Sequence, residues 1–159
     1  SDIGVRAAWL LSRLHAFDLA RLGITADCLP VLDIPIEGSS DVIGARAYGM
    51  SAETVTIMGR AAAEGLMAGG VLPVMKHMPG HGRAMLDTHY ALPTVDTPLE
   101  ELVSNDCAPF RALNHLPMGM TAHVIYSAID PTAPATTSTR TPSSACARRP
   151  ASACGTSRR

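Results

Sequence analysis

Long apolar runs are missing from this 159-residue chain: none approaches the roughly 18 to 20 residues that a membrane-spanning helix requires, and no charged leader precedes an apolar stretch. Neither insertion nor secretion is signalled, so a soluble, cytoplasmic protein without a membrane partner is the expectation. Aromatic residues are scarce, at 4%, and lysine occurs once, as Lys76. The four cysteines offer no two pairs at metal-ligand spacing. Cys28, beside Leu29 and Val31, and Cys107 read as small buried hydrophobes without a chemical role. What is present in quantity is apolar aliphatic character: with 47% hydrophobic residues, the chain can bury one core.

The second half of the charge balance is equally uneven. Residues 1 to 138 carry all fourteen acidic residues and eight of the thirteen basic ones, a balance of −6, while the last 21 residues hold five arginines and no acid. After Asp130 there is no Val, Ile, Leu, Met, Phe, Tyr or Trp. Such a segment cannot offset its ordering entropy by burial, so residues 131–159 are expected to form a disordered, low-complexity tail behind a domain spanning 1–130. Arg140, Arg148, Arg149, Arg158 and Arg159 are scattered without aromatics, which argues against a nucleic-acid partner.

Within the domain, Ala7, Leu10, Leu11, Leu14 and Phe17 recur at helical spacing between Ile3 and Gly23, predicting a helix with that face buried, Asp2 at its start and Gly23 as its stop. The proline-bounded run from Asp27 to Pro35 suits a buried strand. Ser51 is positioned to cap a second helix with the stripe Val55, Met58, Ala62 and Leu66, ended by Gly69-Gly70. Val71 to Met75 predicts a second strand. Thr97-Pro98-Leu99-Glu100 predicts a capping box, with Pro98 first in a third helix that runs toward Leu113. Met118 to Tyr126 predicts a third strand. Strands starting near 27, 71 and 118, each pair separated by a helix, predict right-handed crossovers and a parallel α/β sheet, with chemistry at the C-terminal strand ends.

The densest constellation follows the second strand: Lys76-His77-Met78-Pro79-Gly80-His81-Gly82, then Asp87-Thr88-His89. A metal site from His77, His81 and His89 is the weakest reading, because Pro79-Gly80 breaks the helix that would align two rings. In an extended segment, Asp87 and His89 fall on the same side. A carboxylate beside an imidazole orients the ring and supports its cationic form, which suits proton transfer near neutral pH; from the spacing alone, an incidental pair in a surface loop is the commoner reading.

This stretch, with Leu92-Pro93, closely resembles the signature of the bacterial β-N-acetylglucosaminidases of glycoside hydrolase family 3. That family typically shows Lys-His-Phe-Pro-Gly-His-Gly, then Asp-Ser-His, then Leu-Pro; here Met78 and Thr88 stand at the two variant positions. Asp27 to Asp33, Asp41 to Gly49, Met120 to Tyr126 and Ala128 to Pro131 are also similar to the family, so the resemblance covers residues 1 to 138. It implies part of a TIM-type (β/α)8 barrel, the N-terminal domain of the family, acting on a small carbohydrate: N-acetylglucosaminyl glycosides, including muropeptides of peptidoglycan turnover. It implies a retaining mechanism without metal or other cofactor, in which His89 is the acid/base, Asp87 its partner, and Arg46, Lys76 and His77 bind sugar hydroxyls. His81 is expected to shape the Gly-rich turn. His123, at a strand end, either lines the pocket or is a satisfied core histidine.

The same resemblance implies that the chain is a piece of the barrel, since it supplies three strands, and that the family's nucleophilic aspartate has no counterpart in it; Asp33, Asp96, Asp106 and Asp130 match other positions. The resemblance stops near Ser138, where the following composition resembles out-of-frame translation of GC-rich DNA. The expectations are little hydrolysis by this chain in isolation and self-association through uncovered edges. The alternatives are a non-catalytic sugar-binding remnant and, ranked last, a metal-dependent hydrolase.

Overall fold

In the computed structural model, the structure describes residues 1–85 and 92–134. Two helices and a three-stranded sheet form the larger layer. Helix α1 spans Asp2–Arg21, and Ser1 rather than Asp2 caps it, its hydroxyl accepting from the Gly4 N–H at 3.4 Å. Gly23 ends it at φ 76°, a left-handed turn that glycine adopts without a side-chain penalty. Strand β1 is short, Ala26–Asp27; the chain then passes a cis Leu29–Pro30 bond and pairs again with the second strand at Val31. Helix α2, Ala52–Ala68, is capped by Ser51, whose hydroxyl accepts from the Thr54 N–H at 3.3 Å, and closes on Gly69 with Gly70 at φ 81°.

Strand β2, Leu72–Met78, runs three residues beyond the sequence expectation, so Lys76 and His77 belong to the strand end rather than to the loop after it. The third expected strand is split. Its first part, Met118–Thr121, lies in the main sheet, and its second, Ile125–Tyr126, in a separate small one. Numbering Thr94–Val95 as β3, Met118–Thr121 as β4, Ile125–Tyr126 as β5 and Asp130–Pro134 as β6, the main sheet has order β1-β2-β4 with both pairings parallel. The small sheet has order β3-β5-β6, parallel then antiparallel. A bend after Ala122, whose N–H donates to the Met78 carbonyl at 2.7 Å, carries the chain from one sheet to the other.

The third helical segment comprises α3 (Leu99–Glu101), a π-helical turn over Leu102–Asp106, and α4 (Ala108–Ala112). The expected capping box does not form. Pro98 itself is the cap, its carbonyl accepting from the Glu101 and Leu102 N–H groups, which leaves Thr97 outside the first turn. Leu32, Ile34, Val55, Met75, Phe110 and Leu113 form the core between the main sheet and the helices; Val95, Leu102, Val124 and Tyr126 form that of the small sheet.

Two expectations about burial are overturned. On α1 the buried residues are Ser12 and Ala16, while Leu10, Leu11, Leu14 and Phe17 are about half exposed, at 48, 55, 57 and 50%, and Ala7 is exposed as well. The reason is close approach by small residues. A Cβ at Gly65 would lie 2.4 Å from the Trp9 carbonyl oxygen, and one at Gly69 would lie 2.2 Å from the Ala16 Cβ. The helices cross where side chains are smallest, and the bulky face turns away. Cys28, which follows the edge strand β1, is exposed; Cys107 is buried as expected. Among the described residues, no helix is long and apolar enough to cross a membrane.

Candidate active site

The site grows from the C-terminal end of β2. Lys76 pairs in register with Met120 of β4, and its backbone also bonds to the neighbouring segment: the Lys76 N–H donates to the Pro30 carbonyl at 3.0 Å, and the Leu32 N–H donates to the Lys76 carbonyl at 2.7 Å. The strand end is thus held on both sides. Two cis bonds, Lys76–His77 and Met78–Pro79, follow in succession.

Asp33 organises the loop. Fully buried, it places Oδ2 2.6 Å from the His77 ring Nδ1 and, on Oδ1, accepts the backbone N–H groups of His77 at 3.2 Å and His81 at 2.7 Å. The turn is fastened from the other side by Tyr126, whose hydroxyl donates to the Gly80 carbonyl at 2.7 Å. Glycine is required at position 82: a Cβ there would lie 1.9 Å from the Ile34 carbonyl oxygen and 2.3 Å from its carbon, both backbone atoms that cannot swing aside. Gly82→Ala is therefore expected to cost about 1–3 kcal/mol, read as a lowered urea midpoint at unchanged slope.

Beside the turn, Arg83 reaches Asp106 of the π-helical turn, its Nε at 2.9 Å from each carboxylate oxygen, and its Nη2 lies 2.9 Å from Glu101 Oε1. Burial pushes the Asp106 carboxyl above its ordinary value, and Arg83 draws it only part of the way back. For Arg83, burial alone would lower the guanidinium, but the hydrogen bonds and charges of Asp106 and Glu101 raise it.

His81 is buried, and its Nδ1 has no partner among the described residues. Burial lowers its pKa below the usual 6.5, the Asp33 charge and a backbone hydrogen bond opposing this while His77 and Arg46 add to it. The unfolded chain therefore takes up a proton that the folded chain resists. Stability is full above about pH 6.5 and falls as the pH drops below it toward the depressed folded value. Denaturant midpoints followed from about pH 7.5 to 5.5 check this: the wild-type slope is expected to flatten in His81→Gln.

Arg46 sits in a short 3-10 turn, Gly44–Arg46, with its guanidinium donating to the carbonyls of Ile43 and Val42. Among the described residues no acid pairs with it, and none pairs with Lys76. Both residues line one cavity of about 360 Å³, together with His15, Leu29, Val31 and Tyr48. The Tyr48 hydroxyl is pushed up to about 12 by burial and by the Asp27 charge, so it stays protonated.

The structure therefore brings Lys76 and Arg46 to one cavity; His77 follows Lys76 at the strand end without lining that cavity, and His81 lies in the glycine-rich turn, its backbone N–H held by Asp33. His123 is exposed in the bend between β4 and β5 and does not line this cavity. Asp87 and His89 lie outside the described residues. No group of three His, Cys, Asp or Glu side chains able to hold a metal occurs among the described residues. Sequence reading passed over Asp33, Arg83, Asp106 and Tyr126 as functional positions. An acid inside an otherwise apolar run, as in Val31-Leu32-Asp33-Ile34, is the signal that marks such a residue, because an unpaired buried carboxylate is too costly to tolerate.

The family model for the glycosyl hydrolase family 3 N-terminal domain matches residues 4–141. The chain belongs to this family. It is 42% identical over 135 residues to a beta-hexosaminidase of Methylococcus capsulatus, an alignment covering 84% of this chain and 40% of that protein. Among solved structures, native NagZ from Neisseria gonorrhoeae superposes with a TM-score of 0.79 at 37% identity, covering 85% of this chain and 39% of that one. The same Neisseria protein in complex with N-trifluoroacetyl-D-glucosamine matches equally well, with a TM-score of 0.79 at 37% identity over 85% of this chain and 40% of that one. This chain thus spans about two fifths of the length of these relatives.

Proposed function

We propose that the chain carries part of the sugar site of a retaining β-N-acetylglucosaminidase. The observation that carries this is the cavity lined by both Lys76 and Arg46, neither of which pairs with an acid among the described residues, in a chain of this family. Cationic donors without an acidic partner among the described residues suit the hydroxyl groups of a terminal N-acetylglucosamine, and His77 completes the set from the strand end. The barrel closes around this sheet in the reading, with the aglycone, including muropeptides of peptidoglycan turnover in the cytoplasm, lying beyond the sugar. The exposed apolar face of α1 supports self-association of the chain.

In the proposed chemistry, His89 protonates the departing glycosidic oxygen and later takes a proton from the attacking water, while Asp87 holds the imidazole and stabilises its cation. A carboxylate must attack the anomeric carbon in the first step. Neither buried acid near the site can do so: Asp33 is committed to His77 and His81, and Asp106 to Arg83. The reading therefore expects sugar binding without appreciable turnover by this chain.

Titration with N-acetylglucosamine tests it. Saturable binding, weakened about tenfold in Lys76→Ala and in Arg46→Ala, is expected, each variant losing one charge-assisted hydrogen bond. No saturable binding up to tens of millimolar sugar, a few kcal/mol of affinity at most, would overturn the reading. Hydrolysis of an aryl β-N-acetylglucosaminide that disappears in His89→Ala would instead reveal a complete hydrolase.

A further inference from the structure

We infer that Asp33 is a positioning residue that decides which nitrogen of His77 carries the proton, and thereby makes Nε2 an acceptor for a ligand hydroxyl. This rests on the sugar-site reading and adds to it the hydrogen-bond polarity of the site.

An ionised carboxylate can only accept hydrogen bonds, so the His77 nitrogen lying 2.6 Å from Asp33 Oδ2 must be a donor. In the neutral imidazole the remaining proton-free nitrogen is then Nε2. No described residue hydrogen-bonds to Nε2, and the side chain is 18% exposed, so the ring is anchored at one nitrogen and open at the other. Asp33 is itself fixed, because its other oxygen is occupied by two backbone N–H groups of the same turn. Its carboxylate cannot rotate away without breaking both.

The consequence is selectivity. Lys76 and Arg46 supply only donors, whereas His77 Nε2 supplies a lone pair. A hydroxyl can satisfy both kinds of group, since it accepts from the cations and donates to the imidazole. A carboxylate, a phosphate or an ether oxygen satisfies the cations but sets lone pair against lone pair at His77. The site thus favours hydroxyl-bearing ligands over anions of similar size.

Long-range nitrogen–proton correlation spectra of the ¹⁵N-labelled full chain test this above the ordinary histidine pKa of about 6.5. Wild type is expected to show His77 protonated at Nδ1 and proton-free at Nε2. In Asp33→Asn, the two backbone N–H groups retain the side-chain oxygen, so the amide NH2 turns toward Nδ1. The tautomer is then expected to switch to Nε2–H, with affinity for N-acetylglucosamine falling about tenfold while the rest of the amide spectrum is preserved.

A wild-type ring protonated at Nε2, or at both nitrogens, would overturn the inference even if Asp33→Asn did not fold. A folded Asp33→Asn that keeps the Nδ1–H form would overturn the control by Asp33, and a switched tautomer with unchanged sugar affinity would overturn the acceptor role. A correct tautomer in a wild-type chain that binds no sugar leaves Asp33 as the positioning residue and removes the sugar-site reading. The two failures are therefore distinct.

Discussion

Asp33→Ala is expected to abolish cooperative folding or to lower stability by about 3–9 kcal/mol, because it strands three buried or half-buried donors at about 1–3 kcal/mol each. The donors are the backbone N–H groups of His77 and His81 and, with the tautomer inferred above, the His77 ring Nδ1–H. Against a total of about 5–15 kcal/mol for a domain, a loss of this size removes much of the margin. Asp33→Asn should cost less, since its amide oxygen can still accept the two backbone bonds. Urea unfolding followed by circular dichroism makes the comparison. An Asp33→Ala midpoint within about 0.5 kcal/mol of wild type would show that the turn does not depend on this carboxylate.

The second large effect is expected at Arg83. Substituting methionine leaves the Asp106 carboxyl buried without its partner, and breaking a buried ion pair from one side costs about 3–5 kcal/mol. Removing both charges together, in Arg83→Met with Asp106→Leu, should recover most of that loss, because the penalty comes from the uncompensated group rather than from the pair's absence. Glu101, about half exposed, is screened by solvent, so Glu101→Gln should cost well under about 1 kcal/mol.

The pH dependence carries the sign of this argument. Asp106 already lies above its ordinary value through burial, and losing Arg83 removes what pulls it down. Its folded-state pKa in Arg83→Met then rises further above the unfolded one, so the variant should recover stability as the pH falls through that raised value toward the ordinary carboxylate range, where the gain levels off. A destabilisation of Arg83→Met that stays constant or grows between about pH 7 and 5 would contradict the pairing.

Much of the fold can be read from local pattern. The two long helices, the stops at Gly23 and Gly70, the Ser51 cap and the parallel alternation near residues 26, 72 and 118 are all short-range signals, and the structure contains them. Helical periodicity alone could not say which face of α1 is buried. The usual rule points to its leucines, yet Gly65 and Gly69 of α2 permit so close an approach that Ser12 and Ala16 make the contact instead. The same limit applies to the strand expected from Met118 to Tyr126: alternating apolar residues give no sign that the chain changes sheets in its middle.

By itself, the sequence determined the class of fold and the family signature at Lys76 to Gly82, because these depend on residue type at fixed short spacing; Arg46, Lys76 and His77 became candidates through the resemblance that signature carries. Only the tertiary structure decided that Asp33 holds His77 from 44 positions away, that Arg83 is matched with Asp106 from 23 away, and that Arg46 shares a cavity with Lys76. The physical reason is that a buried charge must find a partner but does not specify which one. That choice follows from how parallel strands and their crossover helices bring distant segments together, and no local periodicity encodes it.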